Sequence, residues 1–158
     1  MPPQYLYDIS GMDLDKVLYG KDVIREVIPH RGEIEQLDAI VYAAADLGRI
    51  IGYKDVRHDE FWVDGHIPGR PLFPGVLMIE AAAQLASFYM KYIEKAPGFI
   101  GFGAVDKVRF RQAVTPGQRL HIVLQKNWIR HGRFHSTVQG LVNGTLVFEG
   151  DIIGVAMG

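Results

Sequence analysis

Apolar positions recur along this chain in two rhythms. From Lys21 to Ile28, Val23, Ile24, Val27 and Ile28 fall at i, i+1, i+4 and i+5, one face of a helix. Pro29 ends it, because the residue before a proline is pushed out of the helical region, and His30-Arg31-Gly32 then turns the chain. A shorter helix is expected at Asp13–Tyr19, after a loosely held arm over residues 1–12. From Gln36 the rhythm changes. Leu37, Ile40 and Tyr42 lead to a turn at Asp46-Leu47-Gly48, and Arg49–Val56 returns, which reads as a strand pair. One long apolar helix runs from Gly75 to about Lys95, where Ala96-Pro97-Gly98 stops it. Everything after it reads as strands: Ile100–Phe110, Leu120–Ile129, Phe134–Val142 and Leu146–Val155. Their turns are Thr115-Pro116-Gly117, His131-Gly132 and Asn143-Gly144, and Asn-Gly is the strongest two-residue hairpin signal.

A helix that is apolar over most of its circumference must be covered nearly all round. A curved antiparallel sheet wrapped about it does this, which predicts an α+β architecture rather than alternating βαβ units. The 158 residues show no repeat and no linker, so residues 1–158 are expected to form a single domain.

Charge and composition narrow the function. A net charge of −1 gives no basic excess for a nucleic-acid partner. Without cysteines there is no disulfide, thiolate nucleophile or thiolate metal site. The N-terminal residues lack the apolar core of a signal peptide. Val76–Met90, interrupted by Glu80, Gln84 and Ser87, falls short of the roughly 20 apolar residues that cross a bilayer. A soluble cytoplasmic protein is expected, with no membrane partner. His131 and His135 lie on a hairpin rather than a helix, and no metal site is read there.

Candidate chemistry gathers between Asp64 and Gln84. Gly65, Pro68, Gly69, Pro71, Pro74 and Gly75 stiffen the loop that carries His66, and a fixed backbone is what a catalytic side chain needs. A histidine acts as a base near pH 7 when one ring nitrogen is held as a donor. On the helix, Glu80, Gln84, Ser87 and Lys91 fall within about 60° of one another, among residues otherwise apolar. A narrow solvent-facing stripe would explain them, but Ala81–Ala83 stand where a surface would carry charges. Desolvation disfavours the charged form of a carboxyl group, so Glu80 is read as a proton donor. At the helix start, the Gly75 and Val76 amides have no partner within the helix and suit a carbonyl oxygen gaining negative charge. Gln84, one turn beyond Glu80, would orient it or a water. Leu72, Phe73, Phe88 and the three alanines are candidate linings for an acyl chain, although core packing explains them equally well. Lys107, Arg109 and Arg111 share one face of a strand by their period of two. They would give an acidic partner a landing site, or simply form a solvated face.

The same residues carry a family likeness. Gly65-His66-Ile67-Pro68, Phe73-Pro74-Gly75-Val76-Leu77 and Glu80-Ala81-Ala82-Ala83-Gln84 resemble the signature of FabZ-type (3R)-hydroxyacyl-[acyl carrier protein] dehydratases. Ile28-Pro29-His30-Arg31, Val105–Phe110 and Val114–Gln118 resemble further segments of that family, so that roughly residues 21–156 are covered. The resemblance implies a hotdog fold and dehydration of hydroxyacyl thioesters carried on the phosphopantetheine of acyl carrier protein, with no other cofactor. It implies a homodimer, often assembled as a trimer of dimers, in which the catalytic histidine and carboxylate come from different subunits. These fall on His66 and Glu80, the carbonyl donor on Gly75 and the helix glutamine on Gln84. Two departures bear on the acyl tunnel: Gly32–Gln36 replaces an aromatic-containing run, and Gly101 stands where some members carry a gating tyrosine. A hotdog thioesterase and a non-catalytic acyl-carrier-binding hotdog protein are the alternatives. A thioesterase needs a carboxylate and water but not the histidine–proline loop, and the presence of both His66 and Glu80 weighs against a binding protein.

Overall fold

Pro74, with φ −60° and ψ 132°, releases the chain into helix α2, Gly75–Phe88. In the computed structural model, which describes residues 4–158, this helix continues through a wider π-helical turn at Tyr89–Ile93. It stops two residues short of the expected Lys95. Lys91 donates its ammonium to the Ala96 and Gly98 carbonyls, and Lys95 itself turns left-handed at φ 58°. The Tyr89 and Met90 carbonyls of the last turn accept the Glu94 and Ala96 amides at 3.2 and 3.0 Å instead of another turn of helix.

Six antiparallel strands wrap α2: β1 (Ala39–Ala44), β2 (Arg49–Asp55), β3 (Phe99–Phe110), β4 (Arg119–Arg130), β5 (Arg133–Val142) and β6 (Thr145–Met157). Their order is β1-β2-β4-β5-β6-β3. Asn143-Gly144 closes β5–β6 with both residues at positive φ, 50° and 78°. His131-Gly132 does the same for β4–β5 at 50° and 75°. This is the mirror-image turn whose twist matches that of paired strands.

The core lies between α2 and the concave face of the sheet. Met78, Ala81, Ala82, Leu85 and Phe88 meet Ile50, Leu120, Ile122, Phe134, Val138 and Phe148, all buried. Each large side chain so buried contributes about 1.5–3 kcal/mol. The arrangement is the hotdog layout, a central helix held in a curved sheet. Helix α1 (Lys21–Val27) closes one side of the core through Ile24.

Two N-terminal expectations fail. Asp13–Tyr19 is not helical; it turns, then runs extended so that the Leu18 and Tyr19 amides donate to the Ile40 carbonyl at 2.8 and 3.1 Å. Pairing with the edge strand β1 outweighs a weak local helix signal. The arm expected to be loose over residues 1–12 is, from residue 4 on, strapped across the outer face of the sheet (residues 1–3 lie outside the described residues). Leu6, Tyr7, Ile9, Met12 and Leu14 cover a second apolar cluster that includes Val41, Ile51, Val123 and Leu141. The Tyr7 hydroxyl donates to the Leu124 carbonyl at 3.1 Å, and Gln139 takes the Leu6 amide and returns a donor to the Gln4 carbonyl. The strands are apolar on both faces, so the outer face needs a cover too.

β3 leaves one edge of the sheet open. Among the described residues it pairs only with β6, and Phe99, Phe102, Val105 and Phe110 stay 43–55% exposed along it.

Candidate active site

His66 sits in the glycine–proline loop between β2 and α2. Its amide donates to the Trp62 carbonyl at 2.9 Å, and a tight turn from Ile67 to Arg70 follows, with Gly69 at φ 81°. Nδ1 lies 2.8 Å from the Leu72 carbonyl oxygen. A carbonyl only accepts, so Nδ1 carries the hydrogen and the Nε2 lone pair is free. The ring borders an open cavity of about 500 Å³ shared with Leu72, Gly75, Val76, Phe110 and Arg111.

Phe73 also reaches this cavity, but its ring is buried against Trp62 at 5.4 Å between centroids, and its amide donates to Val114 at 2.8 Å. It therefore holds the loop down as well as lining the site. Gly75 opens α2, whose first bonded amide is that of Leu77, donating to the Pro74 carbonyl at 3.0 Å, so the Gly75 and Val76 amides lie ahead of the helix ladder. A Cβ on Gly75 would stand 2.8 Å from the half-exposed Phe110 ring, which would have to shift to admit it.

Glu80 opens onto a different cavity, of about 280 Å³, with His30, Ala83, Ser87, Gly101 and Phe102. Gly75 and Glu80 are separated by about 7.5 Å of helix rise. The two cavities lie beside opposite ends of β3: Phe99–Phe102 border that of Glu80, and Phe110 borders that of His66. One chain thus carries both halves of the expected pair without uniting them in one cavity.

Gln84 is buried and ties α2 to the Ile34–Gln36 segment. Its Nε2 donates to Glu80 Oε1 at 3.0 Å and to the Ile34 carbonyl at 2.7 Å, while its Oε1 accepts the Gln36 amide at 2.9 Å. The departure at Gly32–Gln36 is therefore built into the support of Glu80. Ser87 is buried too, so the middle of the polar stripe is covered while Glu80 and Lys91 at its two ends stay half-buried. Of the candidate linings, Ala83 reaches the Glu80 cavity and Leu72 the other, while Ala81, Ala82 and Phe88 belong to the core.

The basic residues of β3 do not keep one face. A bulge between Asp106 and Arg109, with Lys107 at φ 54°, breaks the period of two. Lys107 borders an outer polar hollow with Asn127 and His135, and Arg111 pairs with Glu149 at 2.7 Å at the rim of the His66 cavity.

One functional candidate, His30, escaped the pattern analysis. Its Nε2 is 3.7 Å from Glu80 Oε1, and its buried Nδ1 lacks a hydrogen-bond partner. Its place directly after the helix-ending Pro29, within the family-like Ile28–Arg31 segment, is the signal that could have marked it out. The exposed aromatics of β3 escaped as well, because alternation shows faces, not which strand lies at an edge.

A family model described as a FabA-like domain matches residues 28–154. The 3-hydroxyacyl-[acyl-carrier-protein] dehydratase FabZ of Alkaliphilus metalliredigens is 39% identical over 111 residues, 69% of this chain and 74% of that protein. The enzyme of the same name from Clostridioides difficile is 34% identical over 134 residues, 84% of this chain and 93% of its own. Among solved structures, Cj0977 of Campylobacter jejuni superposes with a TM-score of 0.65 at 13% identity, covering 89% of this chain and 94% of its own. Zebra fish thioesterase superfamily member 2 gives 0.63 at 16% identity, with 87% and 95% covered. At such identities these two carry the fold alone.

Proposed function

The chain belongs to the FabA-like domain family, among the FabZ-type 3-hydroxyacyl-[acyl-carrier-protein] dehydratases, and on that premise we infer that it removes water from a 3-hydroxyacyl thioester to leave a 2-enoyl thioester. The observation that carries the reading is the His66 ring, which borders the cavity at the start of α2 and whose Nδ1 is committed to Leu72, leaving Nε2 for the chemistry.

In this scheme His66 Nε2 takes the C2 proton. The C2–H electron pair spreads onto the thioester oxygen as enolate charge and then returns to form the C2=C3 bond as the C3–O bond breaks. The Gly75 amide donates to the thioester oxygen while it carries enolate charge, and the Val76 amide extends that positive helix end. Glu80 gives its proton to the departing hydroxyl, which leaves as water. Gln84 holds Glu80 at the required angle. Return of the His66 proton to the carboxylate, directly or through solvent, resets the pair. Each proton-transferring group is worth about 10²–10⁴-fold in rate.

A second copy of the chain completes the site. The open edge of β3 with its four exposed apolar side chains is a template for another strand. Antiparallel pairing of β3 with its twin sets the Phe99–Phe102 end of one strand against the Phe110 end of the other. The Glu80 cavity of one protomer then faces the His66 and Gly75 cavity of its partner. Association of such dimers into a hexamer is compatible with this pairing. The substrate arrives on acyl carrier protein, with Arg111 at the rim of the His66 cavity and the exposed Arg109 two positions before it as contacts for its acidic surface. No metal or organic cofactor enters the scheme, and no helix among the described residues is long and apolar enough to cross a membrane. The cytoplasm, where fatty-acid chains are built on carrier protein, is the compartment proposed.

The assay is direct: (3R)-hydroxybutyryl thioester on carrier protein should yield crotonyl thioester with wild-type enzyme, and none above background with His66→Ala or Glu80→Gln. Release of free thiol without enoyl product would mean a thioesterase instead, and wild-type turnover in either variant would remove that residue from the scheme.

A further inference from the structure

Beneath the His66 loop lies an ion pair for which the elimination has no chemical use. Lys54 of β2 is 1% exposed at its side chain and Glu60 is 4% exposed, with Nζ and Oε1 2.6 Å apart. The second oxygen of Glu60 accepts the Arg57 amide at 2.8 Å, and its backbone carbonyl accepts the Val63 amide at 3.2 Å. One carboxylate thus folds the turn that leads to His66. The same Lys54 ammonium stands 5.6 Å from the centroid of the Phe73 ring, on the segment that leaves the loop. Phe73 in turn packs on Trp62, whose carbonyl receives the His66 amide. Trp62 Nε1 is buried without a hydrogen-bond partner, so packing alone orients that ring. Both ends of the His66 loop therefore refer back to one buried ammonium group on a rigid strand.

Stability gives little reason for such a pair. The desolvation of two buried charges roughly offsets their attraction, and well-packed apolar residues of similar size hold a core as well or better. Apolar replacements cannot, however, accept the Arg57 amide or place a cation over Phe73. We propose that Lys54 and Glu60 are positioning residues for His66, fixing the loop so that Nδ1 meets the Leu72 carbonyl and Nε2 points into the cavity. The proposal rests on His66 being the base of the dehydration. A misplacement of about 1 Å at a base can cost 10²-fold in rate without touching the substrate's binding arm.

The test compares a Lys54→Met/Glu60→Leu double variant and a Glu60→Gln single variant with His66→Ala, using kcat and KM per folded dimer alongside thermal unfolding. The double variant is expected to melt close to the wild type. Its kcat should fall about ten- to a hundredfold while KM stays within about twofold. Glu60→Gln, which keeps an acceptor for the Arg57 amide, should lose less. It also serves as the decisive variant if the double one does not fold. Wild-type kcat in a folded double variant, or in Glu60→Gln when only that variant folds, overturns the positioning role. A parallel fall in kcat and in folded fraction, with kcat per folded molecule unchanged, overturns it equally. Wild-type turnover in His66→Ala would instead overturn the underlying assignment of the base, so the two failures are distinguishable.

Discussion

Gln84 Nε2 lies 3.0 Å from Glu80 Oε1, one helical turn away, and the same amide group is pinned from the other side by Ile34 and Gln36. The carboxyl group is thus held by a side chain that cannot swing. Gln84→Leu leaves the buried Gln36 amide unpaired, at about 1–3 kcal/mol, and deprives the partly exposed Ile34 carbonyl of its side-chain donor. The expected result is a lower melting temperature together with a kcat reduced beyond the loss of folded protein. A variant with full kcat per folded molecule would show that Glu80 needs no such support.

His30 faces the other side of Glu80 at 3.7 Å. His30→Phe keeps the ring's bulk and removes its nitrogens. If the imidazole takes part in handling the carboxyl proton, kcat falls by about tenfold, less than the 10²–10⁴-fold expected for a direct proton-transfer group. Unchanged kcat in steady-state assays would reduce His30 to a wall of the cavity.

The Arg25–Glu35 pair gives a pH prediction. Hydrogen bonding from Arg25 holds the Glu35 carboxyl below its ordinary value, with the nearby Lys21 and Arg25 charges and the Gly32 amide acting the same way against desolvation. A lowered folded-state pKa means stabilisation that is fully present above the unfolded value of about 4.3 and lost as pH falls through the folded one. Melting temperatures followed down to about pH 3 should therefore decline more steeply for the wild type than for Glu35→Gln. Equal slopes would show that the pair contributes nothing.

The open edge of β3 predicts association. Phe102→Asp places a charge among the apolar groups of the proposed interface. By analytical ultracentrifugation the variant should sediment as a monomer, and dehydratase activity should disappear with the dimer. A fully active monomer would contradict the shared site.

Legibility in the sequence followed periodicity. The alternation in β4 to β6, the Asn143-Gly144 turn and the near-complete apolar surface of α2 were enough to place the helix within a sheet, because each is a local signal. His66, Gly75 and Glu80 stand out as candidates because a stiff loop and a lone carboxylate differ from their neighbours. Residues 4–14 do not, since Leu6, Tyr7, Ile9, Met12 and Leu14 follow no regular period and acquire meaning only against the outer face of the sheet. The bulge at Lys107 is likewise invisible: alternation is counted along one strand, whereas a bulge is defined by the partner strand, here β6. His30 reaches Glu80 from 50 positions away in the chain, a distance that no local pattern spans.

The central claim is that each active site joins His66 of one protomer to Glu80 of the other. It can be measured by co-expressing His66→Ala and Glu80→Gln chains under two different affinity tags and purifying the mixed dimer through both. Two-fold symmetry then gives one doubly damaged site and one intact site, so the mixed dimer should recover about half of the wild-type kcat although each homodimer is dead. A mixed dimer as inactive as its parents would contradict the account.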